Sequence, residues 1–127
     1  MLNINHNTFK LINAGLPAIF MFCKKQKSVN EIKEHGIPIG AMKLFHYQAI
    51  DGKLEKGDVL LLLTDGMPEL QNRNNEMYGY ERIRNGFKKV AEKEPEEIVN
   101  FLRDKGSAWI DDRDPEDDVT FVVVKVK

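Results

Sequence analysis

Residues 59–66 read Val-Leu-Leu-Leu-Leu-Thr-Asp-Gly, an apolar run that ends on an aspartate and a glycine. The preceding Lys56-Gly57-Asp58 is typical of a turn, so the run predicts a β-strand over Val59–Thr64. Because the strand is apolar on both faces, we expect it in the centre of a sheet that is covered on both sides. Asp65 at its end is a candidate ligand for a hard cation, although a solvated Asp-Gly turn gives the same pattern.

A second pair of carboxylates, Asp117-Asp118, stands at the entrance to the last apolar run, Val119–Val126. Adjacent carboxylates repel each other unless a cation or hydrogen-bond donors compensate. A solvated acidic loop is the alternative, because residues 111–116 are acidic too. If the last strand lies beside Val59–Thr64, the carboxylates of Asp65 and Asp117 should approach within about 4–7 Å and share Mg²⁺ or Mn²⁺. Such an ion could acidify a water for attack on phosphorus.

The remaining pattern predicts strands in the first half of the chain and helices in the second. Four more strands are expected before residue 59, namely Phe9–Asn13, Ala18–Cys23, Val29–Ile32 and Phe45–Ile50, the last ending in an Asp51-Gly52 hairpin-type turn. A helix over about Gly79–Ala91 places Tyr80, Ile83, Phe87 and Val90 on one face, and a second runs from Pro95 to Ile110 with Gly106 packed inside it. This order predicts an α+β domain. Two helices can cover one face of the sheet, so another sheet, another chain or a further part of the domain must cover the other.

The amino-acid composition excludes several kinds of function and of structural site. The 127 residues carry 19 basic and 20 acidic side chains, a net charge of −1, which argues against a nucleic-acid partner. Apolar residues at 42% and charged residues at 31% are typical of a soluble globular domain. One cysteine excludes an internal disulfide framework and fits a cytoplasmic protein. With three histidines and one cysteine a structural zinc site is excluded, so carboxylates must hold any metal.

Five segments, in order along the chain, form a recognisable set of motifs. They are Asn13-Ala14-Gly15-Leu16-Pro17, Gly36-Ile37-Pro38-Ile39-Gly40, residues 54–69 around Thr64-Asp65-Gly66, Tyr78-Gly79-Tyr80-Glu81-Arg82-Ile83 and Asp117-Asp118-Val119-Thr120. With these segments the chain resembles the C-terminal part of a SpoIIE/RsbU-type domain, the bacterial branch of the metal-dependent PPM (type 2C) serine/threonine phosphatases.

The resemblance implies a fold, a reaction and a site. The implied fold is an α-β-β-α sandwich, in which two antiparallel sheets are flanked by helices. The implied reaction is hydrolysis of phosphoserine or phosphothreonine on a protein by a metal-activated water. Its implied metal ligands are Asp65 and Asp117, holding Mn²⁺ or Mg²⁺, and the supporting residues are Thr64, Gly66, Asp118, Thr120, Asn13 and Gly15. Implied partners are a phosphorylated anti-sigma-factor antagonist as substrate and an upstream sensory domain.

Two departures from the family pattern argue against activity of these residues on their own. The Gly-Asp…Gly-His-Gly stretch, whose aspartate bridges two metals in the family, does not occur in this sequence, and Leu16 replaces the usual histidine of the Asn-Ala-Gly turn. We therefore expect residues 1–127 to form a single partial domain that lacks its N-terminal portion and is inactive alone. The alternative is a non-catalytic binding or dimerisation module, and exposed apolar sheet surface would favour a homo-oligomer. A receiver domain is disfavoured, because Met67-Pro68 follows Asp65 one residue too early.

Overall fold

The computed structural model describes residues 1–32 and 36–127, which form two antiparallel sheets and two helices. The elements are β1 (Leu2–Asn3), β2 (Thr8–Ile12), β3 (Ala18–Cys23), β4 (Ser28–Ile32), β5 (Ala49–Lys53), β6 (Val59–Leu63), α1 (Gly79–Val90), α2 (Pro95–Ile110) and β7 (Phe121–Lys125). The strand order is β1-β2-β5 in one sheet and β4-β3-β6-β7 in the other. This arrangement confirms the α+β class.

Strand β6 lies inside the four-stranded sheet, as its apolar sequence predicts. It pairs antiparallel with β3 on one side and with β7 on the other, with Leu61 opposite Phe20 and Val123. The two predicted neighbours, Val59–Thr64 and the last strand, are thus side by side. The last strand is shorter than expected and spans Phe121–Lys125.

The two faces of β6 belong to two different hydrophobic cores. Val59, Leu61 and Leu63 are at most 2% exposed and pack in the core shared with the helices. Leu60 and Leu62 pack on the other face, in the core that contains Phe9 of the three-stranded sheet. The second sheet therefore supplies the cover that two helices could not. Two sheets and one helix layer form part of the α-β-β-α sandwich that the resemblance implies.

The helices end and pack largely as their sequences predict. Helix α2 begins at Pro95 with a capping box between Glu94 and Glu97, which satisfies main-chain N–H groups of its first turn. Gly106 is buried inside α2, where an added Cβ would lie 3.0 Å from Leu70 Cδ1, so the glycine permits close packing on that residue. Within the described part of the chain, neither helix is long and apolar enough to cross a membrane.

Two sequence predictions about these elements are wrong. The predicted strand Phe45–Ile50 lies instead at Ala49–Lys53, and Asp51-Gly52 falls inside it rather than in a turn. Gly52 stands opposite Phe9, whose ring would lie 2.2 Å from an added Cβ, so the glycine accommodates the ring and marks no chain reversal. Tyr80, predicted on the same apolar helix face as Ile83 and Phe87, is 41% exposed, whereas those two residues are fully buried.

Candidate functional site

Three of the five family-like segments meet at one end of the four-stranded sheet. Leu63, the last residue of β6, is opposite Ala18 at the start of β3 and opposite Phe121 at the start of β7. The turn at residues 13–17 and the segment 117–120 therefore flank residues 64–66 on either side. The antiparallel register alone brings these segments together, although about 50 residues separate each from the next.

Thr64 joins the end of β6 to the segment that enters β7. Its hydroxyl donates a hydrogen bond of 2.9 Å to the main-chain oxygen of Asp118 and accepts one of 3.1 Å from the N–H of Thr120. Its own N–H donates to the carbonyl of Thr120 at 3.2 Å. Because one hydroxyl uses both its donor and an acceptor lone pair, it fixes the main chain on both sides of Val119.

Gly66 permits the closest approach between the two aspartate segments. It is buried, and an added Cβ would lie 2.4 Å from the main-chain oxygen of Asp118 and 3.2 Å from that of Asp117. The first distance is shorter than any real Cβ contact, and the atom that it meets is main chain, which cannot move aside cheaply. The glycine after Asp65 is therefore the residue that lets the Asp117 segment pack against the end of β6.

The carboxylates of this region are exposed to solvent. Asp65, Asp117 and Asp118 all lie on the surface, and Asp117 Oδ1 accepts a hydrogen bond of 2.7 Å from the N–H of Asp118. Carboxylate oxygens suit Mg²⁺ or Mn²⁺. Over residues 1–32 and 36–127, however, no group of three or more His, Cys, Asp or Glu side chains is placed to hold a metal. Two carboxylates would hold a hard cation weakly, with water as most of its ligands.

Asn13 and Gly15 build the turn that borders this region. The buried Asn13 side chain accepts hydrogen bonds from the N–H groups of Gly15 and Leu16 at 3.0 and 2.8 Å, and its amide donates to Leu16 O at 2.8 Å. Gly15 has a φ of +108°, which a residue with a side chain rarely adopts. Gly36, from the second family-like segment, lies directly on the Asn13 carbonyl, where a Cβ would overlap it at 1.8 Å.

The carboxylate of the candidate ligand Asp65 acts electrostatically on Tyr80, a relationship that the sequence analysis missed. Burial raises the pKa of its phenol, and the carboxylates of Glu69, Asp65 and Glu31 raise that pKa further. These effects favour the neutral phenol over the phenolate. The helical pattern could not show this, because it separates apolar from polar faces and does not reveal which loop lies next to the first turn.

Comparison with known proteins agrees with these observations. The family model described as "Stage II sporulation protein E (SpoIIE)" matches residues 1–127. The chain belongs to the SpoIIE family. It is similar to the phosphoserine phosphatase RsbU of Bacillus subtilis (strain 168), with 28% identity over 72 residues, which are 57% of this chain and 22% of RsbU.

Solved structures show the same fold. The SiaA-PP2C domain of Pseudomonas aeruginosa superposes with a TM-score of 0.82 at 17% identity, over 96% of this chain and 48% of that one. The SpoIIE phosphatase domain of Bacillus subtilis, solved with a fragment of its regulatory domain, gives 0.79 at 23% identity, over 98% of this chain and 36% of that one. This SpoIIE-family chain thus spans about half the length of the SiaA chain and less of the other two relatives.

Proposed function

We propose that this chain is the C-terminal part of a metal-dependent phosphatase domain that hydrolyses phosphoserine or phosphothreonine on a protein. The observation that carries the proposal is the contact of Gly66 with the main chain of Asp117 and Asp118, which the Thr64 hydroxyl holds in place. This contact puts the candidate ligands Asp65 and Asp117 on two segments that touch. A solvated Asp-Gly turn would not require such a contact.

Each side chain has a role in this proposal. Asp65 and Asp117 would hold Mn²⁺ or Mg²⁺, and Asp118, Thr64 and Thr120 would fix the main chain that carries Asp117. A bound divalent ion supplies charge neutralisation and a more acidic water for attack on phosphorus. Asn13 and Gly15 would shape the neighbouring turn. Among the described residues, no third carboxylate completes a metal-binding group with these two aspartates.

Names of related proteins support the metal and the substrate class. The RsbU relative is a phosphoserine phosphatase. A SpoIIE phosphatase domain with the same fold was presoaked with Mn, and RsbX, with a TM-score of 0.61 to this chain, was solved in complex with magnesium. By analogy we propose a phosphorylated anti-sigma-factor antagonist as substrate, a sensory domain elsewhere in the full-length protein, and a cytoplasmic location.

The ligand count determines the activity that we expect from the 127 residues alone. Two-metal hydrolysis needs a bridging ligand that keeps the ions about 3.5–4 Å apart and places the attacking water in line. We therefore propose that these residues bind Mn²⁺ weakly and hydrolyse phosphoserine peptides only at the background rate, so that catalysis needs further residues of the domain.

The test combines a metal titration with an activity assay. Mn²⁺ binding is followed by water-proton relaxation for the unchanged chain, for Asp65→Asn and for Asp117→Asn, with Asp112→Asn as the control. Asp112 is an exposed carboxylate that pairs with Arg73 at 2.8 Å. We expect both site variants to lose the binding and the control to keep it. Equal binding by all four proteins would overturn the assignment of ligands. Robust Mn²⁺-dependent hydrolysis that Asp65→Asn abolishes would overturn the claim that the site is incomplete.

A non-catalytic binding or dimerisation module is the second candidate, and the lack of a three-residue metal group in the described part of the chain favours it. The two candidates differ in their response to the rest of a phosphatase domain. Addition of an N-terminal half that carries the Gly-Asp…Gly-His-Gly stretch should produce Mn²⁺-dependent hydrolysis if this chain is half of an enzyme. A stable complex without hydrolysis would favour the binding module.

A further inference from the structure

The loop at residues 72–76, between β6 and α1, has a shape that the side chain of Asn72 fixes. Its oxygen accepts the N–H groups of Asn74 and Glu76 at 2.9 and 3.0 Å, and its amide donates to Glu76 Oε2 at 2.8 Å. The Asn72 N–H also donates to the Glu76 carbonyl at 3.1 Å. An asparagine that bonds to the main chain two residues on stabilises a turn. The loop is therefore a fixed structure to which another segment can bind.

The end of α2 and the first residues after it bind to this loop. Trp109 Nε1 donates to the carbonyl of Glu76 at 3.1 Å. Arg113 Nη1 donates to the carbonyl of Asn72 at 2.7 Å and to Asn75 Oδ1 at 3.2 Å. Hydrogen bonds from a charged guanidinium are stronger than those between neutral groups. The loop is thus joined to the start of the connector, residues 111–118, which links α2 to β7.

Arg113 is the last residue before Asp117 that a hydrogen bond holds to another part of the chain. Residues 114–116 are exposed and, among the described residues, they have no hydrogen bond or ion pair. After them, the main-chain oxygen of Asp118 accepts the Thr64 hydroxyl. The part of the connector that carries Asp117 is therefore held at two points, at its start by Arg113 and at its end by Thr64.

The bonding of Arg113 is specific to the loop and does not follow charge alone. The connector contains six acidic residues, and Arg113 is its one basic residue. In the described part of the chain Arg113 nevertheless forms no ion pair, and its hydrogen bonds go to the neutral oxygens of Asn72 and Asn75. A cation that only neutralised a solvated acidic loop would bind the neighbouring carboxylates instead. The guanidinium therefore serves to attach the connector to the loop.

The ion pairs of Arg73 are a second and weaker connection between the same segments. Arg73 Nη2 lies 2.7 Å from Asp111 Oδ2 and 2.8 Å from Asp112 Oδ1, and all three side chains are more than half exposed. Exposed ion pairs contribute little to stability. Asp111 is also held without Arg73, because its N–H donates to the Ser107 carbonyl at 3.1 Å. Loss of Arg73 would therefore free less of the connector than loss of Arg113.

We propose that Arg113 is a positioning residue of the candidate metal site, which keeps Asp117 next to the segment that carries Asp65. The proposal rests on the proposed function, in which both aspartates hold the same ion. Without Arg113, residues 114–116 would move freely, and Asp117 would sample many positions although Thr64 still held the end of the connector. A mobile ligand binds more weakly, because binding then includes the entropy cost of ordering it.

The first test measures the mobility of the connector by ¹⁵N relaxation for the unchanged chain, Arg113→Met and Arg113→Lys. Arg103→Met is the matched control, since the exposed Arg103 pairs with its neighbour Asp104 at 3.4 Å. In Arg113→Met, the order parameters of residues 116–118 should fall from about 0.85 towards about 0.6, whereas that of Thr120 should stay high. Arg113→Lys keeps a charged donor and should restore most of the order, and the control should not differ from the unchanged chain.

The second test measures Mn²⁺ affinity by water-proton relaxation, which a purely structural role of Arg113 would leave unchanged. Loss of a positive charge would by electrostatics alone strengthen cation binding. We expect the opposite for Arg113→Met, a dissociation constant raised about threefold or more, with Arg113→Lys close to the unchanged chain. Arg103→Met removes the same charge and should not weaken binding.

The outcomes separate this proposal from the proposed function. Unchanged order parameters in Arg113→Met, or residues 116–118 already mobile in the unchanged chain, would overturn the positioning role. Mn²⁺ binding that Asp117→Asn abolishes and Arg113→Met leaves intact would also overturn that role, while the proposed function would stand. Failure of the unchanged chain to bind Mn²⁺, or binding that Asp117→Asn does not weaken, would overturn the proposed metal site and the positioning role with it.

Discussion

The Thr64 hydroxyl and the main-chain oxygen of Asp118 are joined by a hydrogen bond of 2.9 Å, which links the end of β6 to the segment that enters β7. The same hydroxyl accepts the N–H of Thr120 at 3.1 Å. A residue that looks like the last position of an apolar strand thus holds together the two segments that carry Asp65 and Asp117.

Replacement of Thr64 by valine should weaken this link without a change in shape. Thr64→Val leaves the Thr120 N–H without its hydroxyl partner, at a cost of about 1 kcal/mol in the free energy of unfolding. Thr64→Ser keeps the hydroxyl and should lose less. Urea denaturation of the three proteins measures the difference. A larger loss for Thr64→Ser than for Thr64→Val would contradict the prediction and show that the methyl group stabilises this site more than the hydrogen bond does.

A methyl group at residue 66 should disturb the same contact by steric overlap. Gly66→Ala places Cβ 2.4 Å from the Asp118 oxygen, and the shift needed should cost about 1–3 kcal/mol of stability. The matched control is Gly86→Ala in α1, where the nearest atom is Phe101 Cε1 at 3.4 Å. Because alanine favours helices, this control should be neutral or gain up to about 1 kcal/mol. Thermal unfolding of both variants checks the prediction, which a fully stable Gly66→Ala protein would contradict.

The pKa of Tyr80 should report the charge on Asp65. Burial is the largest cause of its raised pKa, and the carboxylates of Glu69 and Asp65 add to it because they disfavour the phenolate. Asp65→Asn removes one negative charge, so the pKa of Tyr80 should fall towards the ordinary tyrosine value. Binding of Mg²⁺ at Asp65 should act in the same direction.

The measurement is a pH titration of ¹³C-labelled tyrosine by NMR, with Tyr80→Phe to assign the signal. Asp51→Asn is the control, since Asp51 is not among the carboxylates that act on Tyr80. An unchanged Tyr80 pKa in Asp65→Asn would mean that the phenol and Asp65 do not interact in solution.

The buried carboxylate of Asp58 should be important for stability rather than for chemistry. Asp58 is 4% exposed and accepts the N–H groups of Lys24 and Glu55, each at 2.9 Å. Asp58→Ala would leave two amides without that partner, so we expect a loss of about 2–4 kcal/mol in urea denaturation. The exposed Asp51→Ala, which breaks the ion pair with Lys10, should change stability by less than about 1 kcal/mol. Similar losses in the two variants would refute this role of Asp58.

Part of the site could be predicted from the sequence and part could not. Asp65-Gly66 and Asp117-Asp118 stand out because each adjoins an apolar run, and the local pattern shows this directly. The contact of Gly66 with the Asp118 carbonyl depends on the register between β6 and β7, which residues 64–120 separate along the chain. No local pattern contains that register. The electrostatic effect of Asp65 on Tyr80 depends on packing in the same way.

By itself the sequence determined the central position of Val59–Leu63, the α+β order and the ends of both helices, because apolar periodicity and capping residues act over a few neighbouring positions. Only the tertiary structure decided which element covers the second face of β6, that Gly52 lies under Phe9 and not in a turn, and that Gly66 contacts the Asp118 carbonyl. These features depend on which surfaces meet after folding. Which surfaces meet is decided by segments that are distant in the sequence, because several of them could pack on the same apolar face or pair with the same strand.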